Sequence, residues 1–143
     1  MDVPELGPDA LDFWLGSWTV SWPGGTGTNR IRRILDDAVI EETFECRDED
    51  SALYGRSFSV LDRTDNRWKQ TWVDSSGAYL DFVGVAVDGR ISFQRPAVLD
   101  GRDARQRMVW LNVTEGGFRW EWQRSFDRGL TWEVTWPLEY RRV

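Results

Sequence analysis

Ten tryptophans stand in this chain, at positions 14, 18, 22, 68, 72, 110, 120, 122, 132 and 136, and within their clusters most gaps are two or four residues. That spacing belongs to extended chain. Residues two or four apart on a strand share a face, whereas a helix sends residues two apart to opposite sides. Trp18 with Trp22, Trp68 with Trp72, Trp120 with Trp122 and Trp132 with Trp136 are therefore each expected to line one surface. No long stretch carries apolar residues at helical spacing, so the domain is predicted to be mostly β.

Turn chemistry divides the chain into segments of strand length. The predicted strands are 15–22, 28–35, 38–46, 53–62, 66–74, 78–87, 90–95, 105–113, 117–126 and 131–141. Asp88-Gly89 is a strong two-residue hairpin signal, because both positions tolerate positive φ. The polar stretch 97–104 reads as a longer flap over an opening. Residues 8–14, with proline and aspartate at their start, suit one or two helical turns acting as a plug. At 143 residues the chain is expected to form one domain over its whole length. Consecutive hairpins favour an antiparallel up-and-down barrel of about eight to ten strands, closed so that no edge is left bare.

Composition narrows the chemistry. There is no histidine, which removes imidazole bases, Ser-His and Cys-His nucleophile pairs and His-ligated zinc or haem. Lys69 is the sole lysine among 18 basic residues, so positive charge here means arginine, an anchor and not a proton carrier. The net charge of −6 and the pI of about 4.7 disfavour nucleic acid. Cys46 is the single cysteine and has no intrachain disulfide partner. With no leader-like segment and no long apolar run, the expectation is a cytoplasmic protein without a membrane partner. The acidic runs Asp36-Asp37 and Asp48-Glu49-Asp50 fall at turns and read as solvated, so neither a metal site nor a cofactor is expected.

If the aromatic-rich phase of each strand faces the barrel interior, polar residues travel inward with it. The expected inner sets are Trp68, Gln70 and Trp72; Phe118, Trp120, Trp122 and Arg124; Trp132, Val134, Trp136, Leu138 and Tyr140; Tyr54, Arg56, Phe58 and Val60; Ile40, Glu42 and Phe44; and Met108 with Trp110. Glu121 and Gln123 are expected to face water. In 78–87 the phases Tyr79, Asp81, Val83 and Leu80, Phe82, Gly84 are equally plausible on apolarity, and a one-residue slip inverts any such set. Buried charge is costly unless paired, so Glu42, Arg56, Arg124 and Asp81 inside a barrel point either to internal ion pairs in a filled core or to a cavity with polar anchors.

The segment Asp12-Phe13-Trp14-Leu15-Gly16-Ser17-Trp18-Thr19-Val20 resembles the opening FWLGxWxV motif of a large bacterial family of lipocalin-like (calycin-type) barrels. The similarity continues through Glu41-Glu42-Thr43-Phe44, through Trp68-Lys69-Gln70-Thr71-Trp72-Val73-Asp74 and through Ser125-Phe126-Asp127-Arg128-Gly129-Leu130-Thr131-Trp132, covering roughly residues 11–140. Lys69 stands where the family shows arginine, and Arg128 where it shows the first hairpin glycine. The resemblance implies the fold, and implies that Trp18 stacks with Arg141 or Arg142 at the closed end, a structural role.

Three functions fit these readings. One is binding of a small hydrophobic or aromatic ligand with a polar or anionic end, with walls from Trp72, Trp110, Trp120 and Trp122 and anchors from Arg56, Gln70 and Arg124. The alternative is a cofactor-independent isomerase, cyclase or dehydratase working on a buried carboxylate, with Glu42 as acid/base, Asp81 in reserve, and Tyr54 or Tyr140 as hydrogen-bond donor. The third is a filled barrel acting through its outer face. Monomer and homodimer stay equally open.

Overall fold

The computed structural model describes residues 6–143. Among them a 3-10 helix, Asp12–Trp14, precedes ten strands: β1 Gly16–Trp22, β2 Gly25–Ile34, β3 Val39–Asp48, β4 Ala52–Asp62, β5 Arg67–Asp74, β6 Tyr79–Val87, β7 Arg90–Leu99, β8 Arg102–Leu111, β9 Gly117–Ser125 and β10 Glu133–Arg142. Each strand pairs antiparallel with its neighbours in sequence, and β10 returns to β1, closing the barrel. No helix among the described residues is long and apolar enough to cross a membrane.

Two segments differ from expectation. The plug is a single 3-10 turn, because Leu15 is already extended and Gly16, at φ 129°, starts the first strand. The predicted flap at 97–104 does not exist. β7 and β8 pair down to Leu99 and Arg102, and Asp100 (φ 52°) with Gly101 (φ 73°) turns the chain tightly, as Asp88 (φ 49°) and Gly89 (φ 78°) do one hairpin earlier.

The lumen is lined as predicted by Ile40, Glu42 and Phe44 on β3, Trp68, Gln70 and Trp72 on β5, Met108 and Trp110 on β8, and Trp136, Leu138 and Tyr140 on β10. On β6 the inward phase is Leu80, Phe82 and Gly84, so Asp81 lies on the outer face beside Thr71, which donates a hydrogen bond to it. The phase of β4 is the reverse of that predicted. Gly55, Ser57 and Ser59 face inward and are buried, while Tyr54, Arg56 and Phe58 are exposed. The cause is packing from both sides: a Cβ on Gly55 would lie 2.1 Å from Cη2 of Trp72, so large lumenal rings on β5 demand small residues across from them.

A bulge between Val134 and Trp136 turns the start of β10 the other way. Trp132 therefore leaves the interior; its ring lies 4.0 Å under the Arg107 guanidinium and its indole N–H donates to Gly129 O at 3.1 Å. Glu121 and Gln123 do lie on the outer face, yet are only 7% exposed each. Arg107 donates to Gln123 at 2.7 Å, Gln123 to Glu121 at 2.8 Å and Arg119 to Glu121 at 2.7 Å, so long arginine stems roof this ladder.

Candidate functional site

The two ends of the barrel are built differently. One end is sealed by Leu11, Phe13 and Trp14, whose rings meet Trp110 edge-on at 5.7 Å (Phe13) and 5.4 Å (Trp14). Trp18 donates to Trp14 O at 2.9 Å, and Trp68 to Gly7 O at 2.9 Å. Of the two candidate arginines it is Arg142 that lies over Trp18, 4.1 Å from the ring centroid, while donating to Leu15 O and Glu115 O at 2.8 Å each. Trp110 thus belongs to this packed floor and not to a ligand wall. Gln70 is also below the open space, donating to Ser59 Oγ at 3.0 Å.

Above the floor lies a cavity of about 240 Å³, lined by Phe44, Leu53, Trp72, Leu80, Phe82, Met108, Trp120, Trp122, Trp136 and Leu138, with Glu42, Asp74, Gln106 and Tyr140 as its polar members. The Trp120 and Trp122 rings lie within 4° of parallel with their centroids 6.5 Å apart, and Trp136 stands edge-on to Trp120 at 6.2 Å. Flat, rigid walls of this kind suit a planar apolar molecule.

Glu42 is the most unusual group in the molecule. It sits mid-strand on β3, 8% exposed; Asn29 Nδ2 donates to its Oε2 at 2.7 Å and Ser57 Oγ to its Oε1 at 2.7 Å. Burial pushes its carboxyl above the ordinary value, and the two hydrogen bonds only partly offset that. Asn29 Nδ2 also donates to Tyr140 Oη at 2.9 Å. Burial, reinforced by the neighbouring Glu42 charge, holds the Tyr140 phenol well above its usual range. Asp74, toward the mouth, behaves oppositely. Burial works against its charge, but donors from Ser76, Trp72 (2.8 Å) and Ala78 outweigh it and keep the carboxyl below its ordinary range.

The expected arginine anchors are elsewhere. Arg56 is exposed on the outer face of β4. Arg124 keeps the phase of Trp122 but its guanidinium turns to Glu133, at 3.2 and 3.3 Å, and to the Phe126 ring, in a shallow depression at the rim. Tyr54, half exposed, pairs across strands with Glu45 on the outer wall. Of the residues picked from sequence, Glu42, Trp72, Trp120 and Trp122 meet at the cavity; Asp81, Tyr54, Arg56 and Arg124 do not, because a β4 phase inversion, the outward phase of β6 and the Glu133 partner take them away. The sequence reading missed Asn29, Ser57 and Arg95. Arg95, opposite Gln106 on the lumenal phase of β7, donates to Gln106 Oε1 at 2.7 Å. Asn29 carries the period-two signal, sharing a phase with Ile31 on β2 and pairing across from Phe44, but no aromatic residue on β2 marked that face.

No protein-family model matches this chain, and no curated protein matches it.

Proposed function

We propose that this protein is a lipocalin-like (calycin-type) barrel that binds one small, planar, apolar molecule in its tryptophan-walled cavity, with the ligand's polar end toward Glu42 and Tyr140. The supporting observation is the combination of about 240 Å³ of space with parallel indole walls and a single buried polar cluster. Ligand pockets are typically ~300–1,000 Å³, so this one suits a compound of two or three rings. The opening motif, the 3-10 segment across the floor and Arg142 over Trp18 favour the calycin-type assignment; lipocalins close eight strands, whereas this barrel closes ten. Glu42 at the polar end argues against an anionic group there, and Arg95, on the lumenal phase of β7, is turned to Gln106.

The test is titration with a panel of two- and three-ring aromatic compounds, read by quenching of tryptophan fluorescence. Saturable one-to-one binding is expected, weakened at least tenfold in Trp72→Ala and unchanged in Arg124→Ala. No saturation by any member, in protein of native circular dichroism, overturns the reading.

The catalytic alternative rests on the raised carboxyl of Glu42 at the cavity wall. In that reading Glu42 takes or gives a proton and Tyr140 is the donor; Asp81 and Tyr54, on the outside, have no part. Glu42→Gln would then bind ligand and fail to turn it over.

A further inference from the structure

We propose that the polar end of the cavity is a seat for the carbonyl oxygen of an uncharged planar ligand, with the Tyr140 hydroxyl as hydrogen-bond donor. This deepens the binding reading above and rests on it. The argument is a hydrogen count. The Asn29 amide nitrogen carries two hydrogens, and both are used: one goes to Glu42 Oε2 at 2.7 Å, the other to Tyr140 Oη at 2.9 Å. Tyr140 oxygen is therefore an acceptor in this contact, and its own proton must point elsewhere. Among the described residues Tyr140 donates to nothing, although it is 4% exposed and lines the cavity. A buried hydroxyl whose donor has no protein partner and which lines a cavity is a position that a ligand acceptor fills.

The opposite orientation of the Asn29 amide would give the phenol an acceptor but is the poorer arrangement. It would set Oδ1 between Glu42 and Tyr140, requiring both to donate, and would leave two buried N–H hydrogens without acceptors in place of the one bare oxygen present now. The network as it stands holds Tyr140 from one side and leaves the other side for the ligand.

Charge narrows the class further. A carboxylate end at Tyr140 would face Glu42, while Arg95, on the lumenal phase of β7, is turned to Gln106. An ammonium end brings only donors, so it would leave the Tyr140 proton unmatched. A conjugated ketone, ester or lactone satisfies both conditions, since its oxygen accepts and its plane lies along the indole walls of Trp120 and Trp122.

Equilibrium dialysis with four naphthalenes substituted at the same ring position tests this: the methyl ketone, its isopropenyl isostere, the ethylamine and the carboxylate. The ketone is expected to bind about tenfold tighter than the isopropenyl compound. Tyr140→Phe should erase that preference, read as the ratio of the ketone and hydrocarbon affinities within the same variant. In the wild-type complex the isotope-edited infrared band of the ligand carbonyl should lie below its position in an apolar solvent, a reading that needs no variant. Equal binding of ketone and hydrocarbon overturns the carbonyl seat and leaves the cavity reading standing. Tighter binding of the carboxylate would place the polar end at Arg95, and tighter binding of the amine would place it at Glu42 or Asp74; either overturns the proposal. If none of the four binds, the cavity reading falls, and the carbonyl seat with it.

Discussion

At the floor of the barrel Trp14, Trp18, Trp68 and Trp110 are each 1–3% exposed, whereas toward the mouth Trp72, Trp120, Trp122 and Trp136 are half-buried and border open space. The same residue type, on strands of the same sheet, fills one end and walls the other. What differs is the partner set. The floor rings are met by the 3-10 turn, and two of them donate to backbone oxygens, Trp68 to Gly7 O and Trp18 to Trp14 O. The upper rings are met by one another, by Trp22, Phe44 and Phe82, and by small residues such as Gly55. Aromatic content alone does not separate a core from a site; the presence of a plug does.

The largest test of this contrast is a matched pair of truncations. Trp18→Ala should cost ~3–5 kcal/mol in urea unfolding, because it opens a void in a closed floor and removes the ring under Arg142. Trp122→Ala should cost only ~1 kcal/mol, since its ring already borders empty space, yet lower the affinity for the naphthyl methyl ketone at least tenfold. Comparable stability losses at the two positions would break the comparison, and show that the mouth is packed in solution.

The same contrast explains what was legible beforehand. Period-two aromatic spacing identified the inward phase where a tryptophan marked it, on β5, β8, β9 and most of β10, and Phe44 marked it on β3. It failed on β4, where Tyr54 and Phe58 are the outward residues and serine and glycine the inward ones. There the deciding fact is the size of the neighbours across the sheet, which no single strand records. It failed again at Trp132, because a bulge changes the phase without leaving a distinctive residue. The Asp-Gly signal was recognisable at 88–89 and equally present at 100–101, where the surrounding polar residues suggested a flap instead. Of the polar cluster Glu42 and Tyr140 were visible; Asn29 and Ser57 became part of it through pairings that depend on the register of β2, β3 and β4. The packed partners of Trp68, Gln70 and Trp72, namely Gly7, Ser59 and Asp74, show that this run serves the fold as much as the cavity.

A second test uses the buried acid. A carboxyl whose folded-state pKa is raised keeps its proton where the unfolded chain has already lost it, so wild-type stability falls as pH rises above the ordinary 4.5, until Glu42 ionises in the folded protein as well. Glu42→Gln carries no such dependence. The variant's stability relative to wild type should therefore be flat below pH 4.5 and climb above it, by up to ~1.4 kcal/mol per pH unit inside the window. Urea midpoints across that range measure it. A flat difference would mean that the lumen solvates Glu42 as well as bulk water does, and that the cavity is wetter than its walls suggest.

The smallest effect lies at the mouth, where the acids behave in the opposite sense. Asp127 closes the turn between β9 and β10 by accepting from Thr131 Oγ1 at 2.5 Å, Thr131 N at 2.9 Å and Ser125 Oγ at 2.7 Å. These bonds, the Thr131 hydroxyl first, lower its pKa from 3.8 to about 2. A lowered acid lends stability that is present above the unfolded value and is lost as pH falls through the folded one. Between pH 3.8 and about 2, then, the turn should loosen while Glu42, already protonated, stays as it is. Carboxyl-detected NMR should give Asp127 a midpoint near 2, with the Thr131 amide moving in step, and Asp127→Asn should abolish that step. A midpoint at the ordinary 3.8 would show that the turn is frayed in solution, and that the mouth is held by the strand pairs beneath it and not by its own aspartate.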